Sequence, residues 1–147
     1  MKLVDTEETI VLVTGASPTA EERDRPLAYA LKAEIDRRGA GHAYRRAVVV
    51  SDLWYLDNRL LQLNPTIAVG GPGVNGVSEE FTSALPTVWS RDEQVFVQAD
   101  LENEPRRAAL WGVNASATAA AVEAFIAQGF LDDLLGRIWR FRVGTFV

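Results

Sequence analysis

A chain of 147 residues fits one domain, since two cores of useful size would need more apolar surface than this length can bury. Its hydrophobic fraction of 48% and charged fraction of 24% are those of a folded globular protein rather than a disordered one. The net charge of −5 speaks against nucleic acid, which demands a basic footprint, and the lack of cysteine excludes disulfides, thiolate nucleophiles and zinc ribbons.

No run approaches the roughly 20 apolar residues of a membrane span. The opening "MKLVDTEETIVLV" meets acids before any signal-length apolar run. The expectation is therefore a cytoplasmic chain with no membrane partner.

In chain order, "TIVLVTG" is a β-branched run closed by glycine and reads as a buried strand. "ASPTAEERDRP" follows, where Thr19 and Glu22 form a capping-box pattern for a short helical turn. Pro26 suits the first turn of a longer helix, "PLAYALKAEIDRRG". Leu27, Leu31 and Ile35 share one of its faces and Gly39 stops it. "RRAVVVSD" is a second buried strand. "LWYLDNRLLQLNP" is helical over part of its length and ends before Pro65. "TIAVGG" is a third strand and "NGVSEEFTSAL" a short helix. "PTVWS" and "EQVFVQAD" read as strands around the polar turn from Ser90 to Glu93, as a hairpin or as parts of separate crossovers. "RAALWGVN" is a further strand, and "ASATAAAVEAFIAQG" a helix ending at Gly129. "FLDDLLGRIW" places Leu131, Leu134, Leu135 and Ile138 at helical spacing.

Buried strands alternating with helices predict an α/β fold. The expected form is a three-layer α/β/α domain over residues 1–147, with a mainly parallel, Rossmann-like sheet of about five strands. Ligands in such sheets sit outside the carboxyl ends of the strands. The candidate ligand-binding residues there are Thr14, Gly15 and Ser17, then Ser51 and Asp52, then Gly71, Pro72, Gly73, Asn75 and Gly76, and finally Arg91 and Asn114. The same residue types serve as turn and cap residues, so a ligand rim and a set of caps are both open readings. Asp52 is the one candidate catalytic group, as a general base, a ribose acceptor or a metal ligand; its other role is to cap the next segment. With His42 the sole histidine and no cysteine, no metal site is expected.

"VGGPGVNGVSEEF" holds Gly71, Gly73 and Gly76 in the G-x-G-x-x-G spacing, after a strand and before a helix. Asp92 would then accept from a ribose hydroxyl, or Arg91 hold a 2′-phosphate, making NADP or another nucleotide the cofactor. Against this, Pro72 removes an amide donor and the motif lies mid-chain. "VTGAS" resembles the opening of short-chain dehydrogenases, but Thr19 and Glu21 stand where that family has glycines. The acidic run Glu21, Glu22 and Asp24 would also oppose a pyrophosphate. The segment "IAVGGPGVNGVSEEF", followed by "RAALWGVNASATAAAVEAFI", resembles the α/β domain of archaeal surface-layer proteins. The likeness covers roughly residues 47–128, on Gly70, Gly71, Pro72 and Asn75, then Gly112 and Thr118. It implies a structural fold with no catalytic residues to carry over. The loop is therefore read as a turn first, with Asn75 as helix cap, and as a phosphate cradle second.

In the tail, 139–147, Trp139, Phe141 and Val143 alternate with Arg140 and Arg142, a row that a homodimer would bury across a two-fold axis. The preferred functional reading is a non-catalytic intracellular α/β module binding a small polar or anionic ligand at the strand ends. The alternatives are a nucleotide- or NADP-dependent enzyme using Gly71, Gly73, Gly76 and Arg91, and a structural or assembly domain.

Overall fold

Strand β1 (Ile10–Thr14) is buried at all five positions, as its unbroken apolar run requires. The computed structural model, which describes residues 4–139, places it between β2 (Ala47–Ser51) and β3 (Thr66–Val69), parallel to both. β3 pairs in parallel with β6 (Arg107–Gly112) on its other side. β4 (Thr87–Arg91) and β5 (Val95–Asp100) form an antiparallel hairpin, and β5 runs antiparallel to β6. The result is a mostly parallel six-stranded sheet in the order β2-β1-β3-β6-β5-β4.

The strand count of about five is thereby corrected to six. Both segments around the Ser90–Glu93 turn enter the sheet, because an antiparallel pair needs only a tight turn where a parallel one needs a crossover. The turn is closed by Gln94 N–H donating to Arg91 O at 3.0 Å, with Asp92 and Glu93 both left-handed at φ 54°.

Helices flank both faces of the sheet. Successive side chains of β1 point to opposite sides, so Ile10 and Leu12 meet one set of helices and Val11 and Val13 the other. On the first face lie α2 (Arg25–Arg38), α5 (Ala115–Ala127) and α6 (Phe130–Ile138), contributing Leu31, Ile35, Phe125 and Leu134. On the second lie α3 (Asp52–Leu56) and α4 (Gly76–Ala84), with Tyr55, Val77 and Phe81.

Two local expectations shift. The short helix α1 (Pro18–Arg23) is capped by Ser17, whose Oγ accepts from Ala20 N–H at 3.2 Å, and not by Thr19. Pro18 explains the difference: at the first helical position its missing N–H costs nothing and its φ is already helical. The "LWYLDNRLLQLNP" helix is broken into α3 and a single 3₁₀ turn, Leu61–Leu63. The break falls at Asp57, the cap residue of α3, and Asn58, whose side-chain amide donates to Trp54 O at 2.8 Å. That interruption leaves Leu53, Trp54, Leu60 and Leu63 exposed.

The outer edge of β2 is covered at its first residue. Ala47 N–H donates to Asp36 Oδ1 at 2.9 Å, and Lys32 Nζ donates to Ala47 O at 2.7 Å. Of the tail expected to dimerise, residues 140–147 lie outside the described residues. Trp139 is fixed to the body, its indole N–H donating to Glu8 O at 2.7 Å. Among the described residues no helix is long and apolar enough to cross a membrane.

Candidate functional site

The connection from β1 to β2 leads one way along the sheet and that from β2 to β3 leads back across β1, so strand order reverses between β1 and β3. That reversal is where an open α/β sheet offers a crevice. Most of the predicted residues meet there, but the Ser51, Asp52 and Asn75 side chains bond to the protein's own backbone.

Asp52, only 8% exposed, accepts through Oδ1 from Ala16 N–H at 3.1 Å and Leu53 N–H at 2.8 Å. Its Oδ2 accepts from Gly76 N–H at 2.8 Å. One carboxylate thus ties together the segments that follow β1, β2 and β3. Asn75 caps α4: Oδ1 accepts from Val77 N–H at 3.0 Å and Ser78 N–H at 3.2 Å. Its Nδ2 donates to Val13 O at 3.0 Å and Val69 O at 3.1 Å, tying the cap to both strand ends. Thr14 and Ser51 are register partners at the ends of β1 and β2. Ser51 caps α3, accepting from Trp54 N–H at 3.3 Å, so Asp52 is the residue after the cap and not the cap itself.

The loop from Gly71 to Asn75 lies on Gly15, where an added Cβ would stand 1.8 Å from Val74 O. Pro72 is half-buried and Gly73 is exposed at the tip. Val74 and Asn75 N–H both donate to Gly71 O, at 3.1 and 3.0 Å. Every backbone amide from Val74 to Ser78 therefore has an acceptor within the protein. A phosphate needs such amides free at a helix start, and here it would also face the Asp52 carboxylate.

Arg91 and Asn114 sit elsewhere on the edge. They line a cleft of about 200 Å³ together with Asp92, Gln94 and Ser116, and no residue of the 71–76 loop takes part. Asn114 caps α5, accepting from Ala117 N–H at 2.8 Å. The Arg91 guanidinium lies 6.0 Å from the centre of the Trp89 ring. A larger cleft, about 650 Å³, opens on the opposite edge, where the strands begin.

One residue in this region escaped the sequence reading as a site candidate. Asp24, between α1 and α2, is 1% exposed, and its Oδ1 has no hydrogen-bond partner. It packs against Gly70, whose φ of 114° favours glycine and where a Cβ would come within 2.5 Å of Asp24 Oδ2. Thr14 Oγ1 is likewise buried without a partner. Burial pushes the Asp24 carboxyl above its ordinary 3.8, and the nearby Arg23 charge offsets some of that rise. The folded chain therefore holds this proton more tightly than the unfolded chain does. The stability that goes with the protonated form is complete below 3.8 and is lost as pH rises through the raised folded value. Asp24→Asn is expected to exceed the parent at neutral pH by about 1–3 kcal/mol. The advantage should vanish in acid, as read by urea unfolding on both sides of the titration.

Among the described residues no group of three or more His, Asp or Glu side chains converges in a way that could hold a metal ion. Neither a family model nor a curated protein matches the chain significantly.

Proposed function

We propose that the chain is a non-catalytic binding module of three-layer, Rossmann-like architecture, taking a small polar or anionic ligand at the carboxyl ends of its strands. The observation that carries this reading is the cleft beside Asn114 and Ser116, lined by Arg91. Among the described residues Arg91 makes no ion pair, so its charge is available to an incoming anion. The bonding around Asp52 and Asn75 supports a non-catalytic role, since both side chains are engaged with backbone groups of the fold. It counts against the NADP alternative too, which needs Arg91 and the 71–76 amides in one site.

A thermal-shift titration with inorganic phosphate and with NADP tests the proposal. An anion held at Arg91 raises the melting temperature, and Arg91→Ala abolishes the rise. A rise with NADP but none with phosphate, lost in Arg91→Ala, supports the enzyme reading instead. No rise with either anion removes the ligand.

A second reading, an assembly domain of the kind the surface-layer resemblance implies, is favoured by one feature. Leu53, Trp54, Leu60 and Leu63, close together in the chain, are 66%, 52%, 78% and 60% exposed, and an interface with another molecule would bury them. The homodimer through the tail belongs to this reading, and light scattering on the full chain distinguishes it.

A further inference from the structure

The 650 Å³ cleft lies at the amino ends of the strands, away from every residue discussed above as a ligand-binding candidate. Its volume falls within the range of about 300–1,000 Å³ in which small-molecule sites are found. Four stretches of chain build it: Thr6 ahead of β1, Leu63 and Pro65 ahead of β3, Arg106 ahead of β6, and Arg137 with Ile138 at the end of α6. The backbone there is fixed. Val11 N–H donates to Pro65 O and Thr66 N–H to Arg106 O, both at 2.9 Å.

We propose that this cleft is a binding site for a small organic monoacid with an apolar body. Arg106 and Arg137 receive the carboxylate, and the body rests on Leu63, Pro65 and Ile138. The cationic end is set inside: the Arg106 side chain is 16% exposed, and its Nε is buried with no acceptor. The contact it does make is easily exchanged. Arg106 Nη1 lies 3.2 Å from Glu104 Oε1, but that glutamate side chain is 81% exposed, and a rim pair of this kind contributes little. An incoming carboxylate can take Glu104's place and present two oxygens to the planar fork. Arg137 is held by Asp133 on its own helix, Nε to Oδ1 at 2.9 Å, which fixes the second guanidinium without filling the cleft.

The acid at the rim sets the ligand's charge. Glu104 lines the cleft with its side chain 81% exposed, so its negative charge stands at the mouth while the Arg106 charge, 16% exposed, stands within. A single carboxylate on an apolar body satisfies that arrangement. A dianionic phosphate, with charge spread over its whole small volume, meets that glutamate and gains nothing from the apolar wall.

Amide-resolved NMR titration of the full chain tests this with 1-naphthoate, its uncharged amide and inorganic phosphate as probes. Naphthoate is expected to give saturable shifts at Thr6, Arg106 and Ile138, while the amide and phosphate give none there. Arg106→Gln should weaken naphthoate at least about tenfold, the loss of one charge-assisted contact. Arg137→Gln, at a more exposed helix end, should weaken it as well. The proposal is overturned if naphthoate does not saturate, if the amide binds equally well, if the shifts fall only on residues 53–60, or if neither arginine variant matters.

Discussion

Asp52→Ala is expected to cost about 3 kcal/mol of stability, through loss of a side-chain acceptor shared by three backbone amides. Those amides belong to Ala16, Leu53 and Gly76, which lie after three different strands. For a chain of this size that corresponds to a fall of about 6–12 °C in the melting midpoint. Asp52→Asn should fall between parent and alanine, because it keeps one oxygen but turns an NH₂ group toward a donor. Urea unfolding reads both. A catalytic carboxylate behaves in the opposite way: removing it leaves stability unchanged or improved. An alanine variant as stable as the parent would therefore return Asp52 to the reactive groups and undo the structural role assigned to it.

Gly15→Ala is expected to cost at least about 3 kcal/mol, by overpacking at a point that cannot give way. The new Cβ would meet Val74 O at 1.8 Å and Ala20 Cβ at 2.9 Å, one a backbone carbonyl and the other a methyl on α1. Relief requires lifting the 71–75 loop off β1, which breaks the Asn75 contacts to Val13 O and Val69 O. Gly73→Ala is the control, since nothing lies within 4 Å of its added Cβ. It should stay within about 0.5 kcal/mol of the parent. The contrast separates the two readings of the glycine loop. A phosphate cradle requires the second glycine of its fingerprint for close approach, whereas a folded-over turn requires Gly15.

Much of this was legible in local sequence. The apolar runs at Ile10–Thr14 and Thr66–Val69 read as strands because burial on two faces leaves no polar alternation to mistake for anything else, and Arg107–Gly112 is buried through its middle. Ala47–Ser51 is as apolar but lies at the sheet's outer edge with only Ala47 buried. The ends of α2 at Gly39 and of α5 near Gly129 followed from glycine at helix termini. The pairing of 87–100 was open because a hairpin and a crossover differ in which strand is the neighbour, and that is not a local property. Site residues were harder for a physical reason. Asn, Ser and Asp at a strand end have the same chemistry whether they receive a ligand or an amide of the next helix. Only distances such as the 2.8 Å from Gly76 N to Asp52 distinguish the two. Asp24 was invisible as a buried acid because a residue packed against its carboxyl, Gly70, stands 46 positions away in the chain. The cleft at the strand starts draws on residues as far apart as Thr6 and Ile138, with no motif to announce it.

The lysine and aspartate that reach from α2 to Ala47 have a consequence for the molecule's behaviour in a crowded solution. A strand at the margin of a sheet is a template on which a foreign chain can polymerise, rung by rung. Here the first rung is occupied by a donor and an acceptor that also attract each other, Lys32 Nζ and Asp36 Oδ2 being 2.7 Å apart. An intruding peptide would have to pull these opposite charges away from each other before it gained its first bond. A valine-rich margin that would otherwise invite fibrils thus carries its own deterrent, supplied by the long helix between β1 and β2.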